Sequence, residues 1–368
     1  MLNNKITIDV QGDYLDSFVY SGVLFLLDVD FNLSVCSWDD VCDRILSGKS
    51  FLEKLAVRNF ILGKSVSTSK DINCKFSIDQ NDINELIFHK LELNEWPSDI
   101  NIYSNRFYIS SSNGTFYFDF YWEGGRISSF SRISKIIDLP SFKIAPGSYG
   151  RLVVAAGNDG VCSISPKKKF IQDTDVSTII PDPCNYLDWF ENRVIANTKR
   201  GVRFANYQPI INEKDFKGTK KEYWDEINRL KSIRPEIQEA DELFGKSVVS
   251  SFYNGNKLYY VDSDGNIISG CGEIVSSINQ LNLSDVTDCY VNSSSFGALI
   301  EVGDSLFLLN DLGLNEMEEQ FANYRVFPRA KYYSNHLHVI KDDCLSIKLF
   351  EVSSTGAFTY RVNEILRS

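Results

Sequence analysis

One phrase recurs four times along this chain: an Asn, a basic residue, then a short apolar run that ends in a polar turn. It reads Asn105-Arg106-Phe107-Tyr108-Ile109, Asn192-Arg193-Val194-Ile195, Asn256-Lys257-Leu258-Tyr259-Tyr260-Val261 and Asn335-His336-Leu337-His338-Val339. A short β-hairpin written repeatedly is a repeat architecture, because one such unit cannot bury its apolar face alone and must stack on copies of itself.

The turns supply the period. Gly, Asn and Asp tolerate the positive φ that a two-residue hairpin connection demands. Anchors at Asp30, Asp71, Asn113, Asp159, Arg200, Asp264, Asp304 and Asp342 are separated by 41, 42, 46, 41, 64, 40 and 38 residues. The step of 64 exceeds 41 by 23 residues, the length of one helical insertion. A period of about 40–45 residues with four strands per unit is that of a propeller blade. The expected fold is therefore an all-β propeller of seven or eight four-stranded blades, and eight hairpins favour eight if each belongs to its own blade.

A length of 368 residues would by itself permit two domains, but a repeat overrides that prior, and residues 1–368 read as a single propeller domain. The 13% aromatic content suits strands whose flat faces stack blade on blade. Met1 to Tyr20 lacks the basic start of a secretory signal, and the apolar stretch Phe18 to Leu27 is too short for the roughly 20 residues a membrane helix needs. Eight scattered cysteines then read as free buried thiols. These features lead us to expect a cytoplasmic protein with no membrane contact, in which the sequons at Asn32, Asn113, Asn282 and Asn292 are polar turns.

Period-two alternation marks the strands, as in Leu345, Ile347 and Leu349 against Ser346 and Lys348, or Phe116, Phe118 and Phe120 against Thr115, Tyr117 and Asp119. Further apolar runs precede the hairpins at Tyr186 to Phe190, Val248 to Tyr253, Val286 to Val291 and Tyr324 to Phe327, and are expected to be inner strands lining a channel. A ring of blades closes only if the first and last segments share a blade. Lys5 to Val10 is the expected closing strand, beside Ala357 to Leu366.

The sequence Leu33-Ser34-Val35-Cys36-Ser37-Trp38-Asp39 resembles the end of a WD strand, with Ile347-Lys348-Leu349-Phe350-Glu351 as an echo. In period and in these two places the chain resembles the β-propeller superfamily and, loosely, its WD-repeat branch. It departs from that branch in having no Gly-His pair before the blades and no Trp-Asp in the other units. The lone Gly124-Gly125 does not make a kelch pattern, and no hairpin carries Ser-x-Asp-x-Gly.

One segment breaks the rhythm, from about residue 211 to 245. From Lys220, apolar residues at Tyr223, Trp224, Ile227, Leu230 and Ile233 have the spacing of an amphipathic helix. Arg234-Pro235 should end it, and Ile237, Ala240, Leu243 and Phe244 should mark a second helix. Such a hairpin either packs on the propeller rim or anchors a protein partner through Tyr223, Trp224, Ile227, Leu230 and Arg229, since Trp, Tyr and Arg dominate interface energetics.

Chemical motifs are few. Gly-Lys-Ser occurs at residues 48–50, 63–65 and 245–247, but a phosphate loop needs a Gly five residues earlier, where Asp43, Arg58 and Ala240 stand. Asp28-Val29-Asp30-Phe31-Asn32 has the carboxylate spacing of a calcium loop, yet Leu33 replaces its Gly and Asp39 its closing Glu; Asp262-Ser263-Asp264-Gly265 is similarly short. His336 and His338 point the same way on a strand, as a metal pair would, but His336 takes the place of Arg106, Arg193 and Lys257 in the repeat. No Cys-x-x-Cys, Gly-x-Ser-x-Gly or Gly-x-Gly-x-x-Gly accompanies them. No metal, cofactor or catalytic residue is expected.

A net charge of −11 argues against phosphate contacts, although Lys167-Lys168-Lys169 and Lys217 to Lys221 form local basic runs. Rigid toroids present broad loop-built faces. The expectation is a noncatalytic platform for protein partners, a subunit of a larger assembly. The rival is a propeller that binds or hydrolyses glycans through carboxylates drawn from different blades, and a lesser one is a nucleic-acid-binding accessory subunit.

Overall fold

The structure is a computed structural model that describes residues 4–61, 73–123, 126–147, 150–166, 174–254, 257–278, 289–310, 312–330 and 332–351. The hairpin anchor Asp71, Asn256, Gly63-Lys64-Ser65, Gly124-Gly125, Lys167 to Lys169, Asn282, Val286 to Asp288 and Ala357 to Leu366 lie outside the described residues.

Strand β1 (Asn4–Gln11) is followed by β2 (Tyr14–Tyr20), β3 (Val23–Asp28) and β4 (Asn32–Ser37). Then come α1 (Trp38–Ile45), α2 (Phe51–Ile61), β5 (Cys74–Ile78), α3 (Gln80–Leu86) and β6 (Ile87–Glu92). The next sheet holds β7 (Pro97–Tyr103), β8 (Arg106–Ser111), β9 (Gly114–Glu123) and β10 (Arg126–Phe130), with β11 (Ser134–Ile137) also on β9. Another holds β12 (Lys143–Pro146), β13 (Leu152–Ala155), β14 (Val161–Pro166) and β15 (Thr174–Ile180). After it run β16 (Cys184–Phe190), β17 (Arg193–Thr198), β18 (Gly201–Asn206), α4 (Lys220–Ser232), β19 (Glu236–Glu239) and α5 (Ala240–Phe244). Then follow β20 (Val248–Asn254), β21 (Lys257–Asp262), β22 (Asn266–Ser269) and β23 (Ile274–Ser277). The remaining strands are β24 (Cys289–Ser294), β25 (Gly297–Val302), β26 (Ser305–Asn310), β27 (Gly313–Glu319), β28 (Asn323–Val326), β29 (His336–Ile340) and β30 (Cys344–Phe350).

These strands make seven sheets, β2-β3-β4-β6, β7 to β11, β12 to β15, β16-β17-β18-β19, β20 to β23, β24 to β27 and β28-β29-β30-β1-β5. The fold is an all-β propeller of seven blades. Seven of the eight expected anchors, Asp30, Asn113, Asp159, Arg200, Asp264, Asp304 and Asp342, stand between the second and third strands of a blade. The preference for eight blades fails between Asp30 and Asn113, where one blade carries an insertion of three helices and β5. Instead of opening a blade, β5 pairs parallel with β1, Ile8 opposite Phe76.

By contacts, the described residues before Glu95, those of Phe252–Tyr259 and those beyond Leu283 form one unit, and Glu95–Ser251 with the described part of Tyr260–Leu283 forms another. In the first, β1 does close the last sheet, but against β30: Ile6, Ile8 and Val10 face Leu349, Ile347 and Leu345 in antiparallel register, and all six are fully buried. Each such side chain contributes about 1.5–3 kcal/mol on burial. Ser346, on the opposite side of β30, donates to Asp9 at 2.7 Å, and Lys75 of β5 pairs with the same carboxylate at 3.0 Å. In the second unit a core of Val153, Ala155, Trp189, Val194, Ala196 and Tyr207 joins neighbouring sheets, with Trp189 stacked on Tyr207 at 4.8 Å.

At Asn105, Asn192 and Asn335 the recurring residue lies between the first and second strands of its blade. Ser104 and Asn105 both take positive φ, 52° and 60°, in the two-residue geometry that matches strand twist. The Asn carbonyl also accepts from the third strand or the residue just after it: Phe120 N donates to Asn105 O at 3.0 Å, Tyr207 N to Asn192 O at 2.7 Å and Phe350 N to Asn335 O at 3.0 Å. In the first blade Gly22 takes this place and accepts from Trp38 N at 2.9 Å. Trp38 and Phe350 are thus equivalent, as the likeness of their flanking sequences implied.

The basic residue beside the Asn is explained by its cross-strand partner. Arg106 grips Asp119 with two bonds, 2.6 and 3.0 Å, and covers Tyr117; Arg193 donates to Asn206 at 2.5 Å and covers Phe204. The apparent calcium loops are turns whose first carboxylate is engaged internally. Asp28 accepts from the amides of Asp30 and Asn32 at 3.0 and 2.8 Å, and Asp262 from those of Asp264 and Asn266 at the same distances. The remaining Gly-Lys-Ser triplets are also turns, Gly48 at φ 81° and Gly245 as the left-handed cap of α5.

Candidate docking surfaces

Two blades carry helices between their third and fourth strands, and these helices bear the exposed apolar side chains of interest. Helix α4 starts at a reciprocal cap: Thr219 Oγ1 accepts from Glu222 N at 3.3 Å while Glu222 Oε2 accepts from Thr219 N at 2.7 Å. It stops before Pro235, as expected. The second helix is shorter than the sequence pattern suggested, because Ile237 lies in β19, where it pairs with Ala205 and completes the blade. Only Ala240–Phe244 is helical.

The expected partner-binding residues divide between two sides of α4. Tyr223, Ile227 and Leu230 are buried, with Tyr223 edge-on to Phe216 at 5.5 Å. Trp224 remains 43% exposed beside Tyr223, and Arg229 lies on the solvent side, held by Glu226 through bonds of 2.7 and 2.6 Å. The surface on offer is thus Trp224 and Arg229, and the apolar row beneath attaches the helix. Lys231 is drawn into this attachment, where burial and then the charge of Arg151 push its ammonium pKa down. Arg151 is itself buried beside Trp189 and Tyr207, 5.6 and 5.0 Å from their ring centres.

Helix α2 was not anticipated. Its cap pairs Ser50 with Glu53: Glu53 Oε2 accepts from Ser50 N at 2.9 Å and from Ser50 Oγ at 2.7 Å. Those bonds hold the Glu53 carboxyl below its ordinary range. Val57, Phe60 and Ile61 are buried toward the end of the helix, whereas Phe51 and Leu52 at its start are 77% and 74% exposed and Leu55 is 48% exposed. Arg58 ties α2 to α1 through Asp39 and Asp43, at 2.9 and 3.2 Å, and Arg44 ties α1 to α3 through Asp82 and Glu85. The helices therefore present that apolar end from a braced support. The signal was in the sequence, since Ser50-Phe51-Leu52-Glu53 is a capping box ahead of an apolar run.

The two histidines of β29 are fully buried, and no group of three or more His, Cys, Asp or Glu among the described residues could hold a metal ion. All eight cysteines are free thiols, six of them buried. No helix among the described residues is long and apolar enough to cross a membrane.

No family model matches the chain, and no curated protein matches it. Solved structures do. A chain of the mitotic checkpoint complex is similar with a TM-score of 0.50 at 9% identity, covering 95% of this chain and 93% of that one. The Myceliophteria thermophila Cps50 (Swd1) β-propeller domain gives 0.46 at 8% identity over 95% and 97%, and Chaetomium thermophilum Raptor gives 0.48 at 10% identity over 95% of this chain and 28% of that one. The likeness is one of fold.

Proposed function

We propose that this chain is a noncatalytic interaction propeller, a subunit of a larger assembly that docks a protein partner through the helices inserted in its blades. The observation that carries this reading is the apolar start of α2, where Phe51 and Leu52 stand 77% and 74% exposed on a helix braced by ion pairs. Large apolar side chains held in water on a rigid support are what a binding surface needs, because little ordering entropy is then lost on association. Trp224 of α4 provides a second anchor of the residue type that dominates interface energetics. The similar chain in the mitotic checkpoint complex belongs to an assembly, which supports the reading by analogy of fold.

The test is capture of partners from native extract by the intact chain, by a Phe51→Ser/Leu52→Ser variant and by Trp224→Ala. Loss of a specific captured protein by either variant, with unchanged melting temperature, is the expected result. Retention of every captured protein by both variants would refute docking through these helices.

A further inference from the structure

We propose that Trp38, His336 and His338 enclose an internal water molecule that accepts from the Trp38 indole and donates to a bare imidazole nitrogen. The three side chains are at most 1% exposed and adjoin in series, with ring centres 5.7 Å apart for Trp38 and His336 and 6.0 Å for His336 and His338. They come from the start of α1 and from alternate positions of β29, which place both imidazoles on one face.

The protons can be assigned. His336 Nε2 lies 2.9 Å from Ile61 O, and a carbonyl only accepts, so Nε2 carries the hydrogen and Nδ1 presents a lone pair. His338 Nδ1 lies 2.8 Å from Ser17 Oγ, leaving Nε2 as its second polar atom. Trp38 Nε1, His336 Nδ1 and His338 Nε2 have no hydrogen-bond partner among the described residues. Buried polar atoms are satisfied in folded proteins by protein groups or by ordered water.

The mixture of these atoms selects the occupant. A metal cation would suit the imidazole lone pairs but would meet the hydrogen of the indole, which is donor only. An anion would suit the indole but not the lone pair of His336. Water satisfies both, and it tolerates either tautomer at His338. Arg325, the cation whose charge acts on His338, is paired with Asp16, Nε to Oδ1 at 2.9 Å, so no ion is required to balance it.

A crystal structure of the full chain at a resolution that shows ordered solvent tests the assignment. A water peak within about 3.2 Å of at least two of the three nitrogens is the expected result. A dry cluster, or a peak with the anomalous signal of a metal, would overturn it. The imidazole ¹⁵N shifts of His336 give an independent readout: a protonated Nε2 with a hydrogen-bonded Nδ1 is expected, and the opposite tautomer would also overturn it.

Discussion

Asn335 and Phe350 bond each other twice: Phe350 N donates to Asn335 O at 3.0 Å, and Asn335 Nδ2 donates back to Phe350 O at 3.3 Å. Asn192 and Tyr207 do the same at 2.7 and 2.8 Å in another blade. At these two positions the same residue closes the backbone turn and satisfies the carbonyl at the end of the third strand. Asn does both, tolerating the turn conformation and supplying an amide donor.

Replacing Asn192 or Asn335 with Ala should therefore destabilise the fold by about 1–3 kcal/mol, the cost of stranding a buried acceptor. Asn335→Ala should cost more, because Asn335 Nδ2 also reaches Phe60 O of α2 at 3.2 Å. Urea unfolding of the two variants against the parent measures the difference, and equal stability of all three would contradict the clamp.

Acid should weaken the first unit through the buried histidines. Burial is the main cause lowering the pKa of both, His336 to about 4 and His338 well below 6.5, with His336 and Arg325 adding repulsion at His338. The sign follows from proton counting: below pH 6.5 the unfolded chain takes up protons that the folded chain refuses, so stability falls as pH drops toward 4. For His336 alone the loss over that window is about 3 kcal/mol. A His336→Leu variant should lose less stability than the parent between pH 6.5 and 4. Parallel loss in the two proteins would exclude the histidine as the source.

Residues on opposite sides of α4 should respond differently to truncation. Trp224→Ala should change stability by no more than about 0.5 kcal/mol, the usual limit for a surface position. Ile227→Ala should cost about 2–4 kcal/mol, since Ile227 is only 1% exposed. Thermal melts of the two variants check this, and a large loss at Trp224 would mean that its role is structural.

How much of this was legible in the sequence depended on whether the signal was local. Seven of the hairpin anchors, the first strands near Tyr186 to Phe190, Val248 to Tyr253 and Tyr324 to Phe327, and the start and end of α4 follow from turn chemistry, alternation and capping, and the structure places them where those rules do. What pairs with what was less accessible. The partner of β1 had to be chosen among apolar segments near the other end of the chain, and β30, with Leu345, Ile347 and Leu349, forms the ladder. The region between Asp30 and Asn113 looked like two periods because its length is close to twice 41, and only the pairing of β5 with β1 shows that it is one blade with an insertion. On α4 the sequence left two roles open for a related reason: a 3,4 spacing identifies an apolar side but does not say whether that side meets the protein itself or a partner.

The glycines allow a test of the turn geometry on its own. Gly160 has φ +80°, and a Cβ there would collide with the carbonyl oxygen of Ile180, which belongs to backbone that cannot give way cheaply. Gly245 has a similar φ of +65° but nothing within 4 Å of a built Cβ. Gly245→Ala therefore carries only the left-handed penalty of about 1–2 kcal/mol. Gly160→Ala carries that penalty plus displacement of β15 from β14, where Ile180 pairs with Val161. Chemical denaturation should rank Gly160→Ala well below Gly245→Ala. The reverse order would mean that the hairpin at Asp159 is not held against the end of β15.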